Sequence, residues 1–197
     1  VTIRAATAAD APAMQAFMDR EAPRRNGYPV YNLEKLMAGD PYYAGLRIGD
    51  YALALRNGEI IGMLAGWNQK AYKQTRVVGL KPIIKVLRPL YNIYAGIAGG
   101  FKLPPIGGVL NYLSLYNTLI ANDDVEVHRA LIDWIMANPG QKYDALATGI
   151  TQGDPLVETP RGYKRQKLIS SHFWLSYGDD PRGGIDERPL YVELGRL

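Results

Sequence analysis

The stretch Tyr51-Ala52-Leu53-Ala54-Leu55-Arg56-Asn57-Gly58-Glu59-Ile60-Ile61-Gly62-Met63-Leu64-Ala65-Gly66-Trp67 decides the fold. Two apolar runs flank Asn57-Gly58, and both of those residues accept a positive φ. The stretch therefore reads as a β-hairpin, with strands over 51–56 and 59–67. The second run is apolar almost throughout, which is the pattern of a strand covered on both faces. Such a sheet needs crossover helices to cover it, and the flanking sequence supplies candidates.

Upstream, Thr2 to Ala5 reads as a short strand. Thr7 and Asp10 form a capping-box pattern ahead of a helix whose apolar face carries Met14, Phe17 and Met18, ended by Ala22-Pro23. Asn32 caps a second short helix with Leu33, Leu36 and Met37, and Gly39 stops it. Downstream, no residue from Leu103 to Asn122 is charged. Its Pro, Gly, Asn and Ser content argues against a bilayer span and for a buried strand over about Val109 to Ile120. Asp123 and Glu126 repeat the capping pattern for a helix with the stripe Val127, Leu131, Trp134 and Ile135, ended by Asn138-Pro139-Gly140. Asp144 to Ile150 reads as a strand, and Thr159-Pro160 opens a helix to about Leu168. His172 to Tyr177 and Pro189 to Leu194 read as two last strands. The expected class is α/β (α+β): a mixed, mostly antiparallel sheet with helices on both faces.

Residues 68–108 interrupt this rhythm. Lys81-Pro82 opens a helix with Ile83, Leu87, Leu90, Tyr94 and Ile97 on one face and Lys81, Lys85 and Arg88 on another. Pro89 should kink or interrupt it. Packing on the sheet is the expected use of its apolar face, and a membrane surface is the alternative. Between Glu59 and Asp123 there is no acidic residue, while Lys70, Lys73, Arg76, Lys81, Lys85, Arg88 and Lys102 all fall there. That block suits an anionic partner (phosphate, anionic lipid or nucleic acid) or a solvated face balanced by acids elsewhere.

The chain has 197 residues, the size of one domain, with the 68–108 segment as an insertion. It has no cysteine, which excludes disulfides and thiolate metal sites and suits a cytoplasmic location. Two histidines, His128 and His172, do not make a multi-histidine metal centre, and no metal is expected. Val1-Thr2-Ile3-Arg4 has neither the basic region nor the apolar core of a signal peptide. Nucleophile-elbow, phosphate-loop and zinc-protease motifs do not occur.

Three stretches, in this order, resemble the GNAT superfamily of acyl-CoA-dependent N-acyltransferases. They are Ile3 to Ala11, the hairpin Ala54 to Gly62, and Gly162-Tyr163-Lys164-Arg165-Gln166-Lys167-Leu168 followed by a strand. The resemblance covers most of the chain outside 68–108. It implies a GNAT-like fold over 1–197 and acyl transfer from acetyl-CoA or a longer acyl-CoA to a small-molecule or peptide amine, with a homodimer as a candidate assembly. It implies Tyr163 as the catalytic group that protonates the departing thiolate. It places Leu119, Ile120 and Ala121 against the pantetheine arm, with Val127 and Arg129 at the phosphate end. The family's phosphate loop is glycine-bearing, of the form [QR]-x-x-G-x-[GA], because backbone N–H groups must approach the pyrophosphate. The segment here, Asn122 to Ala130, has no glycine and carries Asp123, Asp124 and Glu126, so the loop is degenerate.

No general base stands out. Glu59 adjoins the turn and should be solvent-exposed; His128, in a first helical turn, reads as a surface histidine; His172 reads as structural. Arg129 faces either a phosphate or Glu126 and Asp133 at helical spacing. Trp67, Tyr112 and Tyr116 belong either to an acceptor cleft or to the core. Three functions remain open: an N-acyltransferase, a non-catalytic ligand-binding or structural module of the same fold (half of a tandem protein being one form), and an anionic-surface binder acting through the basic 70–102 segment. An open wedge beside Ile120 and Thr148 would favour the first, and a filled one the second.

Overall fold

The structure, a computed structural model, describes residues 1–137, 143–171 and 177–196. The described elements run β1 (Thr2–Ala5), α1 (Ala11–Glu21), α2 (Leu33–Met37), β2 (Tyr51–Arg56), β3 (Glu59–Trp67), α3 (Pro82–Ala98), β4 (Tyr112–Ile120), α4 (Val125–Ala137) and β5 (Ala145–Ala147). The strands form one mixed sheet whose spatial order follows chain order, β1-β2-β3-β4-β5. The first four are antiparallel neighbours, and β5 joins β4 in parallel.

The hairpin forms as its residues dictate, with Asn57 and Gly58 both at positive φ. Strand β3 is covered on both faces. Met63, Ala65 and Trp67 point to α1 and α2, where Met14, Phe17, Met18, Leu33 and Leu36 complete one core. Leu64 points to α4, where Val127, Leu131, Ile132 and Ile135 form the other. Gly62 brings α4 close to the sheet, since a Cβ there would lie 2.8 Å from Val127 Cγ1 and 3.1 Å from Leu131 Cδ1. At the start of α1 the Asp10 carboxylate accepts from Thr7 N–H at 2.8 Å and from both Arg4 nitrogens, at 2.7 and 2.8 Å. The Arg4 hydrogen bonds, with help from Thr7, hold the Asp10 carboxyl well below the usual carboxylate range. Asn32 caps α2 by accepting from Lys35 N–H, and Gly39 follows at φ 75°.

Several expectations are corrected. The cap of α4 is Asp124, which accepts from the N–H groups of Glu126 and Val127; Asp123 has left the helix axis at positive φ to pair with Arg25. Strand β4 starts at Tyr112, because Val109 pairs instead with Arg76 across the base of the segment between them. The strand over 144–150 shortens to Ala145–Ala147. The helix expected over 159–168 is a 3₁₀ helix over Pro155–Gly162, and residues 163–171 have no regular structure. Asp154 caps that helix earlier than Thr159, by accepting from Leu156 N–H. Residues 189–194 form a single parallel bridge, Asn26 to Leu190, and then a 3₁₀ turn from Leu194. The helix end at 138–140 and the strand residues 172–176 lie outside the described residues.

Helix α3 departs furthest from expectation. It runs unbroken through Pro89, whose ring frees the carbonyl of Lys85 on an exposed turn where water can bond it. Its apolar face does not pack on the sheet: Ile83, Leu87, Leu90, Tyr94 and Ile97 are all exposed, and Ala95 is its one buried residue.

Candidate functional site

Strands β4 and β5 lie side by side and then separate. Pairing covers Tyr112–Ala145, Leu113–Leu146 and Ser114–Ala147 and stops there. Beyond that point β4 bulges against β3. Only Leu64 lies between the pairs Met63–Leu119 and Ala65–Tyr116, whereas Asn117 and Thr118 both lie between them on β4. Asn117 takes φ 53° to make the extra residue fit, a conformation that Asn tolerates better than most residues. The N–H groups of Asn117 and Thr118 are thereby turned out of the β3 ladder.

Both donors are taken by the segment 189–195. Asn117 N–H donates to Glu193 Oε2 at 2.8 Å, and Thr118 N–H to the Tyr191 hydroxyl at 3.1 Å. The Tyr191 and Tyr31 hydroxyls also donate to Glu193 Oε2, at 2.8 and 3.0 Å, and Gly195 N–H donates to its Oε1 at 3.2 Å. Burial raises the Glu193 carboxyl above the usual range, against those four hydrogen bonds. Burial also lifts the Tyr191 phenol far above its ordinary value, so it stays a neutral donor. The segment is tied down further by Asn26 N–H to Pro189 O, Tyr191 N–H to Asn26 O and Thr151 Oγ1 to Leu190 O. Arg196 then lies 3.4 Å from the centroid of the Tyr42 ring and donates to the Tyr116 hydroxyl.

Beneath this segment Arg25 joins the two loops that follow the parting strands. Its guanidinium, 7% exposed, donates to Asp154 Oδ2 at 2.7 Å and to Asp123. A cavity of about 20 Å³ remains between β4 and the chain that leaves β5, lined by Leu115, Thr118, His128, Thr148 and Tyr191 among others. That holds about one water molecule. A wider cleft, about 410 Å³ and open to solvent, lies outside, between Met18 of α1, Ala22 just after it, and the loop Gly27–Tyr31. Tyr31 links the two, with its ring in the cleft wall and its hydroxyl on Glu193.

His128, expected at the surface, is buried instead. Its Nδ1 lies 3.0 Å from Thr159 Oγ1, and Nε2 has no protein partner among the described residues. Burial, and then the charge of Arg25, push it down to about 4.

Tyr163 stands beside α4 rather than in the parting. Its hydroxyl donates to Asp133 Oδ1 at 2.7 Å and contacts Arg129 O at 3.2 Å. Burial and the Asp133 carboxylate raise its phenol above the ordinary range. Arg129 pairs with Glu126. Leu119 belongs to the α1-side core, Ile120 and Val127 to the α4-side core, and Ala121 begins the 3₁₀ turn after β4. Tyr163 and Arg129 are thus brought together, Ile120 and Val127 meet across Gly62, and none of the six lines the cavity. Glu59 is exposed, as expected, and Trp67 and Tyr116 are core residues. His172 lies outside the described residues. The alternation Tyr191-Val192-Glu193 was the signal for the residues missed, since in extended chain it puts a phenol and a carboxylate on one face. Arg25, in a loop, had no such signal.

No family model and no curated protein sequence matches the chain. Among solved structures it is similar to one described as "Putative acetyltransferase from Agrobacterium tumefaciens str. C58", 12% identical with TM-score 0.44, covering 88% of this chain and 100% of that one. It is also similar to a Trypanosoma brucei acetyltransferase, 10% identical with TM-score 0.46, covering 88% of this chain and 99% of that one. Activity is named for those proteins; a shared course of the chain does not carry it across.

Proposed function

We propose that this chain is an N-acyltransferase-type domain whose acyl-CoA arm enters where β5 leaves β4, and that the structure holds this slot shut. The observation that carries the reading is the bulge in β4, which turns the N–H groups of Asn117 and Thr118 into the parting. An extended arm bearing amide carbonyls can pair with such donors as an added strand would. In the closed form Glu193 and Tyr191 occupy them, so entry requires the 189–193 segment to give way. In the transfer itself the amine nitrogen attacks the thioester carbonyl. A C–N bond forms, the C–S bond breaks, nitrogen loses a proton and the departing thiolate gains one. Tyr163, kept protonated by its surroundings, is the proposed donor of that proton; its hydroxyl is bonded to Asp133 and Arg129 O on α4, outside the parting, so delivery requires residue 163 and the irregular chain after it to move into the parting. In this reading Leu119, Ile120 and Ala121 border the arm, with Val127 and Arg129 at its phosphate end.

The gap beside Thr148 is filled rather than open, and a filled gap favours a second reading. The helix donors that a pyrophosphate would use, the N–H groups of Glu126 and Val127, are already held by the Asp124 carboxylate, and the slot has room for about one water. These favour a domain shut for good, a non-catalytic module of the same fold. Calorimetric titration with acetyl-CoA and longer acyl-CoAs separates the two. The first expects saturable heat and amine-dependent release of free thiol, lost in Tyr163→Phe. Silence with every acyl-CoA at about millimolar concentration would leave only the second.

A further inference from the structure

Helix α3 is built inside out. Arg88 and Asn92, on its polar side, turn toward the chain that returns from the helix and bond the Leu103 carbonyl at 3.3 and 2.9 Å, and Leu103 N–H donates back to Asn92. The opposite side, where Val86, Leu90, Ile93, Tyr94 and Ile97 share an arc, faces solvent, with Leu90 67% and Ile97 85% exposed. In a globular protein the apolar stripe faces the core and the polar side faces water. At 17 residues the helix is about 25 Å long. No described helix is long and apolar enough to cross a membrane.

Charge decides what covers this face. The interval between Glu59 and Asp123 holds seven cations and no acid. Among the described residues no carboxylate pairs with Lys81, Lys85 or Lys102, and all three are exposed. A second copy docked through the same face would bring two such basic blocks together, which like-charge repulsion opposes. An anionic surface neutralises them. The same insertion exposes two more apolar side chains, Val78 and Ile106.

We propose that the 68–108 insertion is a membrane-docking element, with α3 lying in the plane of an anionic bilayer. Its outward arc sinks to the boundary of headgroups and acyl chains, while Lys81, Lys85 and Lys102, exposed on the side of α3 that carries Arg88, reach back past the helix to the headgroups with their long side chains. This inference does not depend on the acyltransferase reading.

Sedimentation of the whole chain with vesicles tests it. Vesicles of phosphatidylcholine with about 30% phosphatidylserine should bind the chain at least about tenfold better than phosphatidylcholine alone, and about 0.5 M salt should weaken the binding. The double variant Leu90→Gln/Ile97→Gln and the triple variant Lys81→Gln/Lys85→Gln/Lys102→Gln should each lower binding at least about tenfold. Both should keep the parent's melting temperature, because the altered side chains are exposed. Failure to bind the anionic vesicles overturns the proposal, as does equal binding to both vesicle types or binding that survives Leu90→Gln/Ile97→Gln. A dimer that dissociates in that variant would assign the face to a second copy. Preferential binding of RNA lost with the three lysines would assign the charge to nucleic acid. Either result also overturns it.

Discussion

Helices α3 and α4 look alike in sequence and are used in opposite ways. Both carry an apolar stripe at helical spacing and charges on the remaining faces. Helix α4 turns its stripe inward, burying Val127, Leu131, Ile132 and Ile135 against β2 and β3. Helix α3 turns its stripe outward and buries only Ala95. The pattern states that a face is to be covered, not by what. Here the distinguishing features are a close-approach glycine opposite α4 at Gly62, and inward-facing polar groups, Arg88 and Asn92, on α3.

The contrast breaks most easily at equivalent leucines. Leu131→Ala should cost about 2–5 kcal/mol in denaturant unfolding, because it empties a fully buried site. Leu90→Ala should stay within about 0.5 kcal/mol of the parent. A comparable loss at Leu90 would mean that α3 packs on its own chain after all.

Acid tests α4 alone. His128 has a folded pKa of about 4, below its ordinary 6.5, so the unfolded chain binds more protons between those values. Its contribution to stability is therefore complete above pH about 6.5 and declines as pH falls toward about 4, by about 3 kcal/mol in total. Glu193 acts in the opposite sense: its raised carboxyl makes folding less favourable as pH climbs past the ordinary carboxylate range. The difference between the parent and His128→Gln melting curves isolates the histidine. If the two curves shift in parallel over that window, His128 is not buried in its neutral form.

Glycines sharpen the comparison. Gly62→Ala should destabilise by about 1–3 kcal/mol, since its Cβ meets Val127, Leu131 and Ile120 together. Gly96→Ala on α3 meets only the flexible end of Lys102, at 3.3 Å. It should stabilise by up to about 1 kcal/mol through helix propensity. Thermal melting of both variants reads the opposite signs.

The first two-thirds of the sheet was legible because its signals are local. Asn57-Gly58 sets its own turn, and Thr7 with Asp10 caps within three residues. The second half of the chain was read less well because its contacts are distant. Asp123 has the local pattern of a cap, and nothing near it in sequence reveals that Arg25, 98 residues away, claims it. The strand expected over 189–194 has the right alternation, but Tyr191 and Glu193 use it to stop the gap beside β4 rather than to extend the sheet. The same distance hid the candidate site. Tyr163 was legible as a residue, but its attachment to Asp133 on α4 depends on tertiary packing.

The closure by residues 189–195 bears on how the chain assembles during synthesis. Sheet order equals chain order, so each strand can dock on its predecessor as translation proceeds. The stopper is made after every strand it closes. A chain whose 189–195 segment has not yet docked would hold the N–H groups of Asn117 and Thr118 without those partners, and unpaired strand donors invite pairing with another chain.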